Sequence, residues 1–440
     1  MYRVSSFVTR FARALLGGAV LATLWVNLDP ASYYDVIEWR LLDLDLPSWI
    51  ARLPVSVTPQ SLVTEALMAL FLFFVGKELW EALVLDRGAL RGRQALLPLG
   101  LTLGGLIGAG VAWVLTASLI VTADEAGFAT GWQVPLGSDV VLGFLIGRRV
   151  LGPGHPALHL LLLIAIATDI LALLILGLTQ PLGLIRPAWL VLPALAALVV
   201  WRIFGRAPAA DAPERDRRAR LALWPYVLAG LLSWVGVAAS GLPGALGLLP
   251  VVPAIAHADR SFGLFAEVEE LLHDPLNRLA QALAWPLTVI LVLFGLTRGG
   301  VDLAAFAPTT LTTLASLWFG RPLGMILIGL GGAAFLGLRL PPGVSLRDIL
   351  AVIAILSMGF TVPVIALDSA LPGGAMQEAA RLGLAVSLFA GPLALLLWRG
   401  TGSGAGTSDG TGDGTGDGTG AGTGDGSDGP SRRRPGRNSA

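Results

Sequence analysis

Cysteine is absent from the 440 residues, which removes disulfides, thiolate metal sites and cysteine nucleophiles from consideration. Charge is scarce as well. Asp, Glu, Lys and Arg make up 14% of the chain, against roughly 25% in a soluble domain. Lysine occurs once, at Lys77, and four histidines (His155, His159, His257 and His273) leave little from which to build an imidazole metal centre. The formal net charge is zero, so nothing in it calls for nucleic acid. What fills the chain instead is apolar: 54% of the residues are hydrophobic, arranged in runs long enough to cross a bilayer as helices. The reading is an all-α, polytopic membrane protein.

Twelve candidate spans lie near 10–27, 59–84, 95–119, 127–147, 156–179, 187–204, 221–239, 242–257, 276–297, 309–338, 346–370 and 378–398. The first lacks an A-x-A-like exit and is expected to be a retained helix. Arginine supports the count. Arg3, Arg10 and Arg13 precede the first span, and every second loop is then Arg-rich: Arg87/Arg91/Arg93, Arg148/Arg149, Arg202 to Arg220, Arg260/Arg278, Arg339/Arg347 and Arg399. The alternate loops hold only Arg40, Arg52, Arg186, Arg298 and Arg381. By the positive-inside rule both termini are expected to be cytoplasmic. The external loop 28–59 carries two weakly alternating pieces that permit a small hairpin, Leu41–Leu46 and Val55–Thr58. Residues 206–220 form a charged linker between six spans and six, and 401–440 is a Gly/Thr/Asp-rich tail expected to be disordered.

Few ionisable residues fall inside spans. Asp169 stands after Thr168 in the middle of Leu160–Thr179, where a carboxylate costs roughly 2.5–3.5 kcal/mol on insertion scales and marks an ion or proton site. Asp139 follows Ser138 in a stretch that Pro135 and Gly137 break, and Met358-Gly359-Phe360-Thr361-Val362-Pro363 breaks the eleventh span. Irregular backbone at membrane depth is tolerated only where it is buried in protein or lines a cavity. Paired interrupted spans mark the binding site of secondary transporters. Spans three to five and ten to twelve thus read as two repeats, inverted because the broken spans, the fourth and the eleventh, are an odd number of spans apart. The remaining charges in spans are Glu65, the pair Lys77–Glu78 and Arg321. Asp368 lies near the outer end of span eleven, and Glu81 and Arg298 read as end residues that reach water. Lys77 is expected on the cytoplasmic rim and need not pair with Glu78, because sequence neighbours on a helix point about 100° apart. His155 and His159 are expected to be interfacial, like the Trp and Tyr near span ends, while His257, His273 and Glu267/Glu269/Glu270 form a solvated face.

Five short stretches carry a resemblance over about Phe11 to Trp398. They are Glu65–Leu70 with Phe74–Leu79, Gly131–Pro135 with Ser138-Asp139, Ala165–Leu171, Gly320–Gly324 and Gly359–Thr361. In order and on the right spans, they resemble the NhaA family of sodium/proton antiporters, for which inverted repeats with two broken helices crossing at the midplane are a known property. The resemblance implies exchange of Na+ or Li+ for H+, with pH and sodium homeostasis as the outcome. It makes Asp169 the residue that binds cation and proton in turn and joins Thr168, Asp139 and Ser138 to that site. It makes Arg321 the charge-compensating base, Glu78 with Lys77 the pH-response candidates, and Pro135, Gly137, Gly359, Phe360 and Thr361 the broken-helix residues. It implies a homodimer in lipid and no resident cofactor. The division it implies is 1–94 (helices 1–2 with the external loop), 95–179 (core repeat 1), 180–300 (helices 6–9), 301–400 (core repeat 2) and the tail 401–440. Two departures stand out: Thr168 occupies the place of the family's first aspartate, and Arg321 that of its lysine. Neither can give up a proton, so one-for-one, electroneutral exchange is expected. The alternatives are a transport-dead homologue that senses ions or pH and, more distantly, an intramembrane aspartyl protease using Asp139 and Asp169, although neither carries the Gly-x-Gly-Asp sequence.

Overall fold

The computed structural model describes residues 7–44, 55–84, 95–120, 128–181, 185–205, 222–257, 265, 274–338 and 340–402. The arginine loop 87–93, the linker 206–220, Glu267, Glu269, Glu270, His273 and nearly all of the tail lie outside the described residues.

The helices follow in order. α1 is Phe7–Leu28 and α2 is Pro30–Ile37, whose N-cap Asp29 accepts from the Ser32 amide. The strands β1 (Leu42–Leu44) and β2 (Val55–Val57) pair antiparallel with Leu42 opposite Val57, the hairpin expected in that loop. α3 is Met68–Val84, preceded by a π-helical turn at Leu62–Leu67. α4 is Leu96–Ile120. A 3-10 segment, Ala129–Leu136, leads into α5 (Val140–Val150), and α6 is Pro156–Thr179. α7 (Val191–Ile203) and α8 (Trp224–Ser240) precede two 3-10 turns, Gly244–Leu246 and Leu249–Ala254, in the Pro-rich stretch. α9 is Pro275–Arg298, capped by Asp274. α10, Pro308–Phe335, contains π-helical turns at Ser316–Gly320 and Met325–Leu330. α11 is Leu346–Leu356, α12 is Thr361–Ala370, α13 is Ala375–Ser387 and α14 is Ala390–Gly402.

Among the described residues, six helices are long and apolar enough to cross a membrane, and the pair α11 and α12, bent by 44° at its break, would be a seventh. Three further apolar helical stretches, Pro187–Ile203, Trp224–Ser240 and Gly244–Ala254, are shorter. The protein is a multi-pass, mainly helical membrane protein. Length and composition alone do not reach the twelve spans of the sequence reading, because π turns, 3-10 turns and breaks divide several apolar stretches.

Lipid hydrocarbon is as apolar as a leucine side chain, so membrane helices associate through close packing of small residues rather than through apolar side chains alone. Two such seams organise the molecule. Gly18 of α1 lies against the backbone of Val292, Gly295 and Leu296 in α9. Gly100, Gly104 and Gly108 of α4 lie against Gly329, Gly324 and Gly320 of α10. Residue number rises along α4 as it falls along α10, so these two helices run antiparallel. α6 is the most enclosed long helix, with Leu161 to Ile166 almost wholly buried, and it packs on α3, α4, α5, α11 and α12.

Candidate functional site

The site is built from two helix interruptions that cross. Pro135 has no amide hydrogen and cannot continue a helical ladder. The chain leaves the 3-10 segment, runs extended through Gly137 (φ −72°, ψ 159°) and Asp139 (φ −137°, ψ 108°), and resumes as α5. The second interruption falls at Met358–Phe360, between α11 and α12. They meet at Gly137: a Cβ there would stand 2.6 Å from Val362 Cβ and 2.7 Å from Pro363 Cδ, and one on Gly359 would stand 3.3 Å from the Gly137 carbonyl oxygen. Glycine is required at Gly137 because the other chain occupies the space of any side chain. Ser387 of α13, which lies in no motif legible beforehand, accepts from the Gly359 amide at 3.2 Å and steadies the second interruption.

Each interruption creates two half-helix ends, with partial positive charge at the resumed N-terminus and partial negative charge at the carbonyl end. One acid serves both positive ends. Asp139 Oδ1 accepts from the Leu142 amide at 2.6 Å, capping α5, while Oδ2 accepts from the Thr361 amide at 3.2 Å and from the Thr361 hydroxyl, capping α12. One base serves both carbonyl ends. Arg321 Nη2 donates to the carbonyls of Pro135 (2.5 Å), Leu136 (2.8 Å) and Gly137 (2.5 Å), and Nη1 donates to that of Leu356 at 2.8 Å. Arg321 is thus held by the carbonyl ends and not by Asp139.

Asp169 projects from α6 onto the same interruption. Its Oδ1 accepts from the Ser138 amide at 2.7 Å and lies 3.1 Å from the Ser138 hydroxyl, which also lies 3.3 Å from the Ala165 carbonyl. Asp139 and Asp169 are each 2% exposed, so the site is closed to solvent in this arrangement. Beside Asp169, the buried Thr168 hydroxyl has no hydrogen-bond partner among the described residues. An orphaned buried oxygen of this kind calls for a water or an ion to satisfy it. A carboxylate, two hydroxyls and nearby carbonyls are the oxygen donors that suit a hard cation. The structure therefore brings Asp169, Ser138, Asp139, Thr361, Gly137 and Arg321 together. Thr168 enters the neighbourhood through its place beside Asp169, and Phe360 through its place as the N-cap residue of α12.

Lys77 and Glu78 stand apart from this site, and here the sequence reading needs correction. Lys77 is 1% exposed rather than on a rim. Its Nζ lies 3.0 Å from Glu78 Oε1 and 3.2 Å from Glu81 Oε2. Glu81 is likewise buried rather than reaching water, and the flexible lysine stem lets Lys77 meet its sequence neighbour despite the angular offset between their Cα atoms. Glu78 Oε2 also accepts from the Phe265 amide at 2.5 Å, the residue sitting at φ 52° and stacking on Phe74. A cavity of about 300 Å³ opens beside this cluster, with Arg10, Asn277 and Gln281 on its wall.

Other expectations also shift. Glu65 accepts from the Gly244 amide at 2.5 Å, and its main-chain carbonyl from Trp234 Nε1 at 2.8 Å, so Trp234 ties helices together instead of anchoring at an interface. Trp113 is fully buried and donates to the Phe128 carbonyl. His155 is half-buried and caps α6 through Nδ1, and His159 is buried. Arg298 is 4% exposed and ion-paired with Asp368, where an end residue reaching water was expected.

The chain is similar to known sequences over nearly its whole length. The profile described as "Na+/H+ antiporter 1" matches residues 7–398. A protein of Jannaschia sp. (strain CCS1) named Na(+)/H(+) antiporter NhaA is 39% identical over 412 residues, covering 90% of this chain and 97% of that one. Na(+)/H(+) antiporter NhaA 2 of Pelobacter propionicus is 32% identical over 397 residues (89% and 96%), and Na(+)/H(+) antiporter NhaA of Geobacter metallireducens is 30% identical over 404 residues (91% and 98%). Two crossed interruptions, one acid on their positive ends and one base on their carbonyl ends thus occur in a chain that belongs to the NhaA family of Na+/H+ antiporters.

Proposed function

We propose that the chain exchanges Na+, or Li+, for H+ at Asp169, the two competing for one carboxylate. A bound cation lowers the proton affinity of the carboxylate, and protonation expels the cation. The observation that carries this reading is the pair of donors from Ser138 onto Asp169 Oδ1, which sets a buried carboxylate against the crossing of the two interruptions. Ser138, the orphaned Thr168 hydroxyl and freed carbonyls complete an oxygen shell. Asp139 and Arg321 keep the half-helix ends neutral while Asp169 changes state. Each of the two acids has its own set of donors, an arrangement unlike the shared-proton dyad of an aspartyl protease.

In this reading the chain spans the inner membrane twelve times with both termini in the cytoplasm, and the hairpin side is external. Residues 95–179 and 301–400 are inverted repeats, supported by the antiparallel seam between α4 and α10, the first helix of each. Residues 1–94 and 180–300 form the supporting bundle, and the chain works as a homodimer in lipid without a resident cofactor.

In reconstituted vesicles with an internal pH dye, added Na+ releases protons from the wild type, and Asp169→Asn abolishes the signal. Undiminished exchange by Asp169→Asn overturns the site. Absent exchange in the wild type, with Na+ binding retained, would instead make the chain a sensor.

A further inference from the structure

The external side carries a polar tie that the exchange chemistry does not use. Arg298 is the last residue of α9, and its Nη1 lies 2.5 Å from Asp368 Oδ2 near the end of α12. Its Nε donates to Thr64 Oγ1 at 2.9 Å, in the π-helical turn before α3. Gln60 Nε2 reaches the same Asp368 oxygen at 3.1 Å. Thr64 in turn donates to the Gln60 carbonyl at 2.9 Å, so Gln60, Thr64 and Arg298 form one connected cradle around the Asp368 carboxylate.

The two sides of this tie belong to different packing groups. α9 packs on α1 through Gly18 and Gly295, and on α3. α12 packs instead on the 3-10 segment before α5, on α6 and on α13, the elements that hold the ion site. The guanidinium is almost wholly buried at this junction. The Asp368 side chain is 38% exposed, so the tie joins a buried arginine at the end of α9 to a carboxylate that water reaches.

α12 joins the tie to the site. Its first residue, Thr361, holds Asp139, and Asp368 sits seven residues on, about 10 Å at the helical rise of 1.5 Å per residue. A change at the crossing that tilts or shifts this short helix moves the Asp368 carboxylate relative to its cradle. Conversely, an intact pair opposes that motion. Alternating access in such transporters is largely rigid-body movement of one helix group against the other around a fixed site.

We propose that Arg298–Asp368, with Thr64 and Gln60, is an external latch. It holds the half-helix α12 against the supporting bundle while the outer path is closed, and it breaks each time the site opens outward. This inference rests on the chain being an exchanger and on the hairpin side being external, but on no particular role for Asp169, so a failure of the Asp169 assignment is read separately by Asp169→Asn.

The absence of cysteine from the chain makes a direct test available. The paired substitutions Arg298→Cys and Asp368→Cys introduce its only two thiols. In reconstituted vesicles, a short bifunctional methanethiosulfonate that bridges them lowers exchange at least about tenfold, and dithiothreitol restores it. Each single variant under the same treatment keeps its exchange. Full exchange by protein whose bridge is verified by mass overturns the latch. Where the thiols are not bridged, sidedness decides. Asp368→Asn and Arg298→Gln each favour the outward-open state and shift the ratio of external to internal KM for Na+ about tenfold towards tighter external binding. The double variant adds nothing further, because either change alone breaks the pair. An unchanged ratio, with only the yield of folded protein reduced, would leave the pair a structural contact and overturn the proposal.

Discussion

At the scale of single residues, the protein uses its few charges in sets rather than alone. Lys77, the one lysine, sits between Glu78 and Glu81 with all three side chains buried. Burial makes the isolated charges costly, and the ion pairs and the Phe265 amide offset that cost. Removing one partner leaves uncompensated charge behind, typically at about 3–5 kcal/mol. Lys77→Met should therefore lower the melting temperature in detergent markedly, whereas Lys77→Met combined with Glu78→Gln and Glu81→Gln should recover most of the loss. A triple variant as unstable as the single one would show that shape, not charge, sets the value of this cluster. The sequence displayed these residues but concealed their pairing. Adjacent positions point about 100° apart on a helix, and only the structure reveals that the lysine stem bends back.

At the scale of elements, glycine decides how closely helices approach. The α4–α10 seam places Gly104 so that a Cβ would stand 2.9 Å from the Gly324 carbonyl carbon and 3.1 Å from Met325 Cα. Those atoms are backbone and cannot swing aside. Gly104→Val should separate the two helices and cost about 1–3 kcal/mol, the usual range for overpacking. Gly17→Ala, at a position with nothing within 4 Å of the added carbon, serves as the silent control. Equal melting temperatures for the two variants would refute the seam. Several elements were legible in advance. Pro135 with Gly137, and Gly359 with Pro363, announced the interruptions, and the alternating pieces around Asp43 and Ser56 announced the hairpin. The crossing itself was visible only by resemblance, because which interruption lies on which is a matter of tertiary contact. Arg298 was misread for a related reason. Its place at a span end fits an arginine reaching water equally well, and the distant Asp368 that pairs with it has no signature in local sequence.

At the scale of the whole molecule, the question is how much charge crosses the membrane in each cycle. Thr168 has no ionisable proton, and Arg321 stays charged at any working pH. The contacts of Arg321 reinforce this: its two terminal nitrogens are engaged by four carbonyls of the interrupted helices, so its positive charge is part of the scaffold of the site. Asp139 is likewise committed to two helix N-termini. On the proposed reading, Asp169 is then the one carboxylate of the group that alternates between a cation and a proton, with one charge carried in each direction. A net charge moved per cycle would couple the reaction to voltage at about 2.3 kcal/mol per 100 mV. With none moved, vesicles clamped at zero and at about −100 mV with potassium and valinomycin should exchange Na+ for H+ at the same rate. A rate that changes severalfold between the two potentials would mean that a second proton carrier exists. Because Thr168 cannot be that carrier, the search would then turn to acids outside the crossing, with the buried cluster of Glu78 and Glu81 first among them.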